Sequence, residues 1–456
     1  MSYSKIINIL DLSLSLSWKL YKDEEIVEGK DLEELKKYLC SLPSYKTHVI
    51  FDYNLSRDML LFKGDLEFDN ILRNSAHRDK VHYCTFGNNI EFRNLKSLID
   101  LPTEEIMKIF KTDDEIESYR LAIKEELSNC RDNSYRYLPK TVSGWVTKKL
   151  KNLYSENWDI KNFYKELQLN AQTQPIYTSL KKYGLMGYTP GTAGILYKDC
   201  VYSYDIKSSY PYQMCNADYP LSKGVVKENF PIDKFEFYDQ KGFLYCAKME
   251  LKDITLKPNA FDWLEHSEDG IYTLLRPEYE MLKDAYNFTL VRIPQIVIHL
   301  KKGKLPDKIT NLIKTLFQEK EDSRGNVYLY EKKKKQVNSI FGLFCQVESL
   351  ESTTRRPSII GYWSIGWAKR ELYKLARISP KHVLYWDTDS VKTTKNLINE
   401  IKLINSNREG KMGIWVEEFA EVDFCCYGKK AYVIDNIPKI AGLPKTAIPD
   451  NTEFKG

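Results

Sequence analysis

Cysteine motifs, histidine clusters and long apolar runs are what this sequence lacks. Its nine cysteines are scattered over 456 residues without one CxxC pair, and two of them, Cys425 and Cys426, are adjacent. That pattern is neither a zinc site nor a disulfide framework, and it suits a reducing cytoplasm. Six histidines offer no catalytic cluster. No stretch of about eighteen apolar residues occurs, so no membrane span is expected. The amino terminus, MSYSKIINILDLSLSLSW, lacks the basic region and small-residue cleavage site of a secretory signal. Net charge is nearly absent too, since 68 basic residues face 63 acidic ones. A surplus of that size says little about partners, so local clusters carry the information. Basic groups gather at Lys301–Lys304, Lys332–Lys335, Arg355–Arg356 and Lys429–Lys430. The 32 tyrosines would suit grooves that stack bases, yet compositional bias explains them more simply.

What is present centres on YWDTDS, Tyr385 to Ser390. Asp387 and Asp389 stand two residues apart between an apolar approach (HVLYW) and a β-branched exit. A tight turn of this kind between strands holds divalent metal well, because hard cations take carboxylate oxygens. Alone, DTD reads equally well as a solvated hairpin turn. Upstream, in VYSYDIKSSYP, Asp205 ends a β-rich run and Ser-Ser-Tyr-Pro leaves the strand in a turn. Between the two lies YLYEKKKKQVNSIFG, Tyr328 to Gly342. Read as a helix, it carries Lys334, Asn338 and Phe341 at the i, i+4, i+7 spacing of one face. A lysine run is ordinarily a solvated face; the abrupt change to an apolar end with a glycine stop at Gly342 argues otherwise.

These three elements resemble motifs A, B and C of family B DNA polymerases, in the family's order. DIKSSYP matches motif A, KKQVNSIFG motif B and YWDTDS motif C. Downstream, Lys430 and Tyr432 in GKKAYVID resemble the KxY motif that grips the primer end, and KIAGLPK resembles the stretch that closes the palm in the protein-primed branch. GLMGYTPGTAG is similar to that branch's YxGG element only at Tyr188 and Gly191, with Pro190 where a glycine is expected.

The resemblance implies an α/β plus α+β chain. An RNase H-like exonuclease-type domain (1–150) and a connecting region (151–200) precede a polymerase palm with inserted helical fingers. The palm would span 201–304, with room for an insertion near 250–304, and resume over 343–456; the fingers would be 305–342. Eleven residues follow AGLPK, so the thumb is expected to be reduced or absent. The short stretch between NSIFG and YWSIGW leaves the branch's hairpin insertion absent or vestigial.

In the amino-terminal domain, DYNLSRD places Asn54 and Asp58 as the second exonuclease motif. The first motif departs from the pattern, since Asp11 is followed by Ser13 where glutamate is expected. The third departs as well, because YRLAI puts Ile123 where aspartate belongs. A two-metal nuclease needs a full carboxylate cluster. The expectation is an exonuclease-like fold with little or no proofreading.

By the same resemblance, Asp205 and Asp389 would bridge two magnesium ions, with manganese as the alternative, and Asp387 would support them. Lys334 would face the triphosphate, joined by Lys320 or Arg324 from the other finger helix. Backbone amides at Ser208, Ser209 and Tyr210 would cradle phosphate oxygens. Tyr210 matches the steric gate that excludes a 2′-hydroxyl. Asn338 and Phe341 would line the nascent pair, and Gly342, Lys430, Tyr432, Tyr188 and Gly191 would contact DNA. The implied partners are primer-template DNA, dNTPs, a terminal (priming) protein and a separate thumb or processivity factor, with no membrane. The setting would be the cytoplasm, the host's if the source is viral. The rival reading is a non-catalytic DNA-binding accessory protein descended from a polymerase.

Overall fold

The segment KTHVIFD, Lys46–Asp52, is buried along nearly its whole length, as a strand covered on both faces must be. It organises the first of two units into which the chain divides, residues 1–150 with 318–336. The second comprises residues 151–317 with 337–456. The computed structural model describes the chain apart from residues 1, 4–5, 14–15, 24, 63–65, 74–79, 183–194, 265–267, 346–357, 409, 429 and 441–456.

In the first unit the strands are β1 (Ser2–Tyr3), β2 (Asn8–Leu12), β3 (Trp18–Lys22), β4 (Glu25–Gly29), β5 (Lys46–Asp52), β6 (Asp69–Arg73), β7 (Val81–Phe86) and β8 (Ile90–Asn94). They form one sheet in the order β4-β3-β2-β5-β8-β7-β6, with β1 also beside β5. Strand β5 runs parallel to β2 and β8. Alternation along β5 sends Val49 and Phe51 into one core and Ile50 into another, so both faces of the sheet are covered. Helices α1 (Leu32–Ser41), α2 (Leu55–Leu61), α3 (Leu95–Ile99), α4 (Thr103–Phe110), α5 (Glu115–Ser128) and α6 (Val142–Glu156) accompany it. Their starts are chemically marked. Asp31 accepts the Glu34 amide at 2.9 Å and Asp114 accepts the Glu117 amide at 2.9 Å, each capping an exposed helix end.

The second unit adds α7 (Trp158–Glu166), α8 (Gln174–Lys182), β9 (Ile195–Ile206), α9 (Ser209–Asn216), β10 (Tyr219–Pro220), β11 (Gly224–Phe230) and α10 (Ile232–Gln240). Next come β12 (Leu244–Leu256), β13 (Gly270–Leu275), α11 (Arg276–Ala285), β14 (Tyr286–His299), β15 (Lys302–Gly303), α12 (Asp307–Asp322), α13 (Val327–Cys345) and α14 (Ile359–Ala376), of which α12 from Gln318 and α13 as far as Gln336 belong to the first unit. The chain continues through β16 (Val383–Asp387), β17 (Ser390–Thr393), α15 (Ile398–Ser406), β18 (Trp415–Gly428), β19 (Ala431–Ile434) and β20 (Ile437–Ile440). A six-stranded sheet runs β16-β17-β9-β18-β19-β20, a four-stranded one runs β11-β14-β12-β13, and β10 pairs with β15. One core joins the two larger sheets, with Tyr204, Ile206, Met249, Ile296, Trp386 and Trp415 among its members. Helix α14 is buried on almost every side, as an apolar helix in a domain centre should be.

Two expectations about the helical pair are corrected. Gly342 does not stop its helix, since α13 runs on to Cys345. The cost of a helical glycine is about 1 kcal/mol. Burial of Leu343 and Phe344 on the following turn offsets it, at about 1.5–3 kcal/mol for each such side chain. Arg324 does not lie on a finger helix either; α12 ends at Asp322 and Arg324 sits in the turn before α13. Among the described residues, no helix is long and apolar enough to cross a membrane.

Candidate active site

Sheet register brings the three palm-motif aspartates together. Asp205 of β9 lies opposite Ser390 of β17, and Ser390 lies opposite Asp387 of β16. Residues paired directly across a sheet sit side by side on one face. The row Asp387, Ser390, Asp205 therefore crosses three adjoining strands. Asp389 closes the turn between β16 and β17, and its carbonyl accepts the Ile206 amide at 2.8 Å. The carboxylates of Asp387 and Asp205 and the one in the turn thus share one small region.

The turn is strained. Thr388 has φ +51°, and among the described residues it is the one β-branched side chain in the left-handed region. Such a conformation costs on the order of 1–3 kcal/mol and persists where surrounding contacts enforce it. Here the Thr388 hydroxyl donates to Asp387 Oδ1 at 2.7 Å, and Lys430 Nζ donates to Thr388 Oγ1 at 3.3 Å. The Lys430 amide also donates to Tyr385 OH at 2.9 Å. Its ammonium lies 3.2 Å from the Asp387 carboxylate. Lys430 and Asp387, singled out separately in the sequence, are ion-paired. Tyr432 packs its ring on Tyr385, 5.1 Å between centroids, and on Phe424 at 5.6 Å.

The turn after Asp205 holds a second left-handed residue, Ser208, at φ +53°. Beyond it the chain does not simply leave in a turn; it enters α9 at Ser209. The amides of Ser209 and Tyr210 therefore open a helix, where backbone N–H groups lack intrahelical partners. Ser209 Oγ is buried without a hydrogen-bond partner. Gly413 secures this corner. Its amide donates to the Lys207 carbonyl at 2.8 Å, its φ is +80°, and a Cβ there would meet the Tyr212 ring at 2.1 Å. On the other side of α9, the Tyr210 ring stacks on Phe341 of α13, 3.8 Å between centroids and 11° from parallel.

Beneath the aspartates lies a charge that the motifs did not announce. Lys392, opposite Ser203 on β17, is almost wholly buried, and its ammonium donates to Ser390 Oγ. Burial lowers its pKa, against the pull of Glu418, Asp205, Asp389 and Asp387. Glu418 accepts from Ser203 Oγ at 3.2 Å. Burial pushes the Asp389 carboxyl up to about 6; Lys392 and Lys430 hold it down, while Asp387 and Glu418 push it further up. The signal for Lys392 was its place two residues after Ser390, on the same side of the strand. It was overlooked because a lysine in a strand is usually solvated.

Helix α13 begins in the first unit and ends in the second, with Gln336 and Val337 on either side of the division. Asn338 is exposed and Phe341 and Gly342 are half-exposed; a Cβ on Gly342 would meet nothing within 4 Å. In the first unit, Lys334 is exposed and lies 3.6 Å from Glu331. Lys320 is buried, 3.4 Å from the Glu321 carboxylate. Arg324 donates to both Glu321 oxygens, at 3.0 and 3.1 Å. Tyr188 and Gly191 lie outside the described residues, as does the whole of AGLPK.

The first unit also contains the sequence's nuclease candidates. Asp11 is exposed on β2, and Asn54 opens α2, where its amide donates to Asp52 Oδ1 at 2.7 Å. Asp58 is buried. Asp52, which sequence reasoning passed over, is fully buried beside it, and burial with the neighbouring Asp58 carboxylate raises its pKa well above the ordinary range. Arg57 bonds Asp58 and donates to the Leu12 carbonyl at 3.2 Å, in the field of Asp52 and Asp11 as well. A fixed guanidinium thus stands among these carboxylates. Ile123, at the third motif's acidic position, is apolar core. Because burial and the Asp58 carboxylate favour the neutral form of Asp52, Asp52→Asn is expected to change stability by less than about 1 kcal/mol in a melting experiment at pH 7.

No protein-family profile matches the chain, and no curated protein matches it in sequence. Solved structures do match. The fold they share with this chain is that of phi29 DNA polymerase. Phi29 DNA polymerase complexed with primer-template DNA is 15% identical, covering 97% of this chain and 94% of its own, with a TM-score of 0.71. The same polymerase with primer-template DNA and incoming nucleotide substrates is 14% identical, over 98% and 94% of the two chains, with a TM-score of 0.71. With single-stranded DNA the values are 15%, 97%, 92% and 0.69. At such identities the likeness concerns fold.

Proposed function

We propose that this chain is a template-directed DNA polymerase of family B, adding dNTPs to a primer 3′-hydroxyl, and that it belongs with the protein-primed branch. The observation that carries the reading is the row Asp387, Ser390, Asp205 with Asp389 at the strained turn, on a fold shared with a DNA polymerase.

The residues fit divalent magnesium, with manganese as the alternative. Asp205, Asp387 and Asp389 offer hard carboxylate oxygens, and the raised pKa of Asp389 marks negative charge held in a partly desolvated place. Among the described residues no three metal-ligating side chains converge tightly, and Asp387 is engaged by Lys430. Bound there, two such ions would lower the pKa of the primer hydroxyl and neutralise charge on the triphosphate and leaving pyrophosphate. The protein's own share is alignment. Asp205 and Asp389 hold the reacting region, with Asp387 as ligand or support. The amides opening α9 point toward phosphate oxygens, a role that helix N-termini favour. Lys334 supplies positive charge to the triphosphate, joined by Lys320 or Arg324, both of which pair with Glu321 here. Tyr210 excludes the 2′-hydroxyl, Asn338 and Phe341 line the nascent pair, and Lys430 and Tyr432 hold the primer end. The Tyr210–Phe341 stack would have to open to admit a base between palm and helix.

The first unit is read as a nuclease fold without proofreading, because Arg57 stands among its remaining carboxylates. A 5′-labelled single strand incubated with magnesium is expected to remain full length, with Asp58→Ala indistinguishable from wild type. Progressive shortening that Asp58→Ala removes would contradict this. Terminal protein and a separate thumb or processivity partner remain the partners proposed for priming and grip.

The reading is tested by extension of a labelled DNA hairpin with magnesium and four dNTPs. Longer products that vanish with a chelator support it. A folded, DNA-binding chain that never extends the primer would favour the accessory protein instead.

A further inference from the structure

The four lysines of α13 divide by partner. Lys332 is buried, and its ammonium pairs with Glu126 of α5, 206 residues away and wholly buried. Glu126 also accepts from Tyr328 OH at 2.9 Å and from Trp145 Nε1 at 3.1 Å, so both its oxygens are engaged. Lys333 pairs with Glu319 of α12. Lys335 lies 2.6 Å from the Asp100 carboxylate and donates to the Asp100 carbonyl at 3.2 Å. Lys334 differs. At 3.6 residues per turn it points about 200° away from Lys332. Its pairing is with Glu331 on its own helix, on the exposed surface, where such pairs carry little energy.

The helix thus has two faces. One is docked through Lys332 on Glu126. The other carries Lys334, Asn338 and Phe341, separated by four and three residues and hence nearly aligned.

We propose that Glu126 mounts the first half of this helix: the Lys332–Glu126 pair, within the amino-terminal unit, fixes the helix's rotation about its own axis, and so the heading of the face that carries Lys334, Asn338 and Phe341, which the polymerase reading assigns to the incoming nucleotide. The inference rests on the polymerase reading. It gives the unit a task that does not depend on nuclease carboxylates. A buried ion pair is well suited to it. Its net stabilisation is small because desolvation cancels much of the attraction, but a wrong register leaves a buried charge uncompensated. Fixing orientation is a role that buried polar groups take in some proteins. Glu126 and Lys332 are therefore positioning residues, acting through the opposite face of the helix.

The test uses the full chain and single-nucleotide incorporation. Glu126→Gln is expected to raise the KM for dNTP about tenfold, equivalent to 1.4 kcal/mol, with primer-template affinity unchanged. Lys332→Arg, which keeps the charge, should stay close to wild type, and Lys332→Met should resemble Glu126→Gln. The double variant should be no worse than either single, because both remove one interaction. If Glu126→Gln does not fold, Glu126→Asp supplies the reading, with an intermediate rise in KM. A folded variant with unaltered dNTP KM overturns the proposal. So does a parallel loss of kcat, DNA affinity and melting temperature, which would mark general destabilisation. Failure of the unsubstituted chain to incorporate any nucleotide would instead sink the polymerase reading, and this inference with it.

Discussion

Asp389→Asn is expected to abolish nucleotide addition while leaving the protein at least as stable as before. The two halves have one cause. On the proposed reading Asp389 acts ionised, yet it sits where burial raises its pKa from 3.8 to about 6. Between those values the folded chain holds a proton that the unfolded chain has released, so stability falls as pH rises through that window. Above it, the ionised carboxylate costs the fold on the order of 3 kcal/mol. Asparagine keeps the shape and removes the charge. In metal-free buffer at pH 8 the variant should therefore melt no lower than wild type. Its incorporation rate should fall by about a thousandfold or more, the scale on which an electrostatic group aimed at the transition state acts. Normal turnover in the variant would refute the assignment of this carboxylate. A collapse of stability would refute the account of its burial.

Tyr210→Ala is expected to have the second-largest effect, on sugar choice. The Tyr210 ring is packed flat against Phe341 and half-buried beside the aspartates. On the proposed reading, its bulk lies under the sugar and a 2′-hydroxyl collides with it. Steric exclusion by a fixed ring is lost entirely when the ring is lost. The preference for dNTP over rNTP should shrink by about a hundredfold, or close to 3 kcal/mol, measured as a ratio of kcat/KM values. Tyr210→Phe should retain the preference, because the ring and not the hydroxyl does the excluding. Unchanged selectivity in Tyr210→Ala would move the gate elsewhere. Phe341 offers an internal check, since stacking with Tyr210 requires only a ring at that position.

Much of this site could be read from the chain before its structure. The strands around Asp205 and Asp387 were legible because β-branched and aromatic residues alternate up to a turn. The helix through Lys334, Asn338 and Phe341 was legible from its period. The charges in the third dimension were not. Lys332 and Glu126 are 206 residues apart, and no local pattern links them. A lysine run looks the same in sequence whether solvated or docked. Lys392 and Asp52 were missed for a related reason, since burial of a charged residue depends on what packs over it. Gly342 misled because the penalty for a helical glycine is smaller than the gain from burying the two residues beyond it. Arg57 carries no signal in the sequence, although its neighbours decide what the adjacent carboxylates can do.

The central claim is that this chain copies a template. The most direct measurement is single-nucleotide incorporation on four primed hairpins that differ only in the templating base, each offered the four dNTPs separately with magnesium. The account predicts addition of the complementary nucleotide in each case, with mismatches far slower. Addition regardless of the templating base, or none by a folded chain that still binds the hairpin, would contradict it.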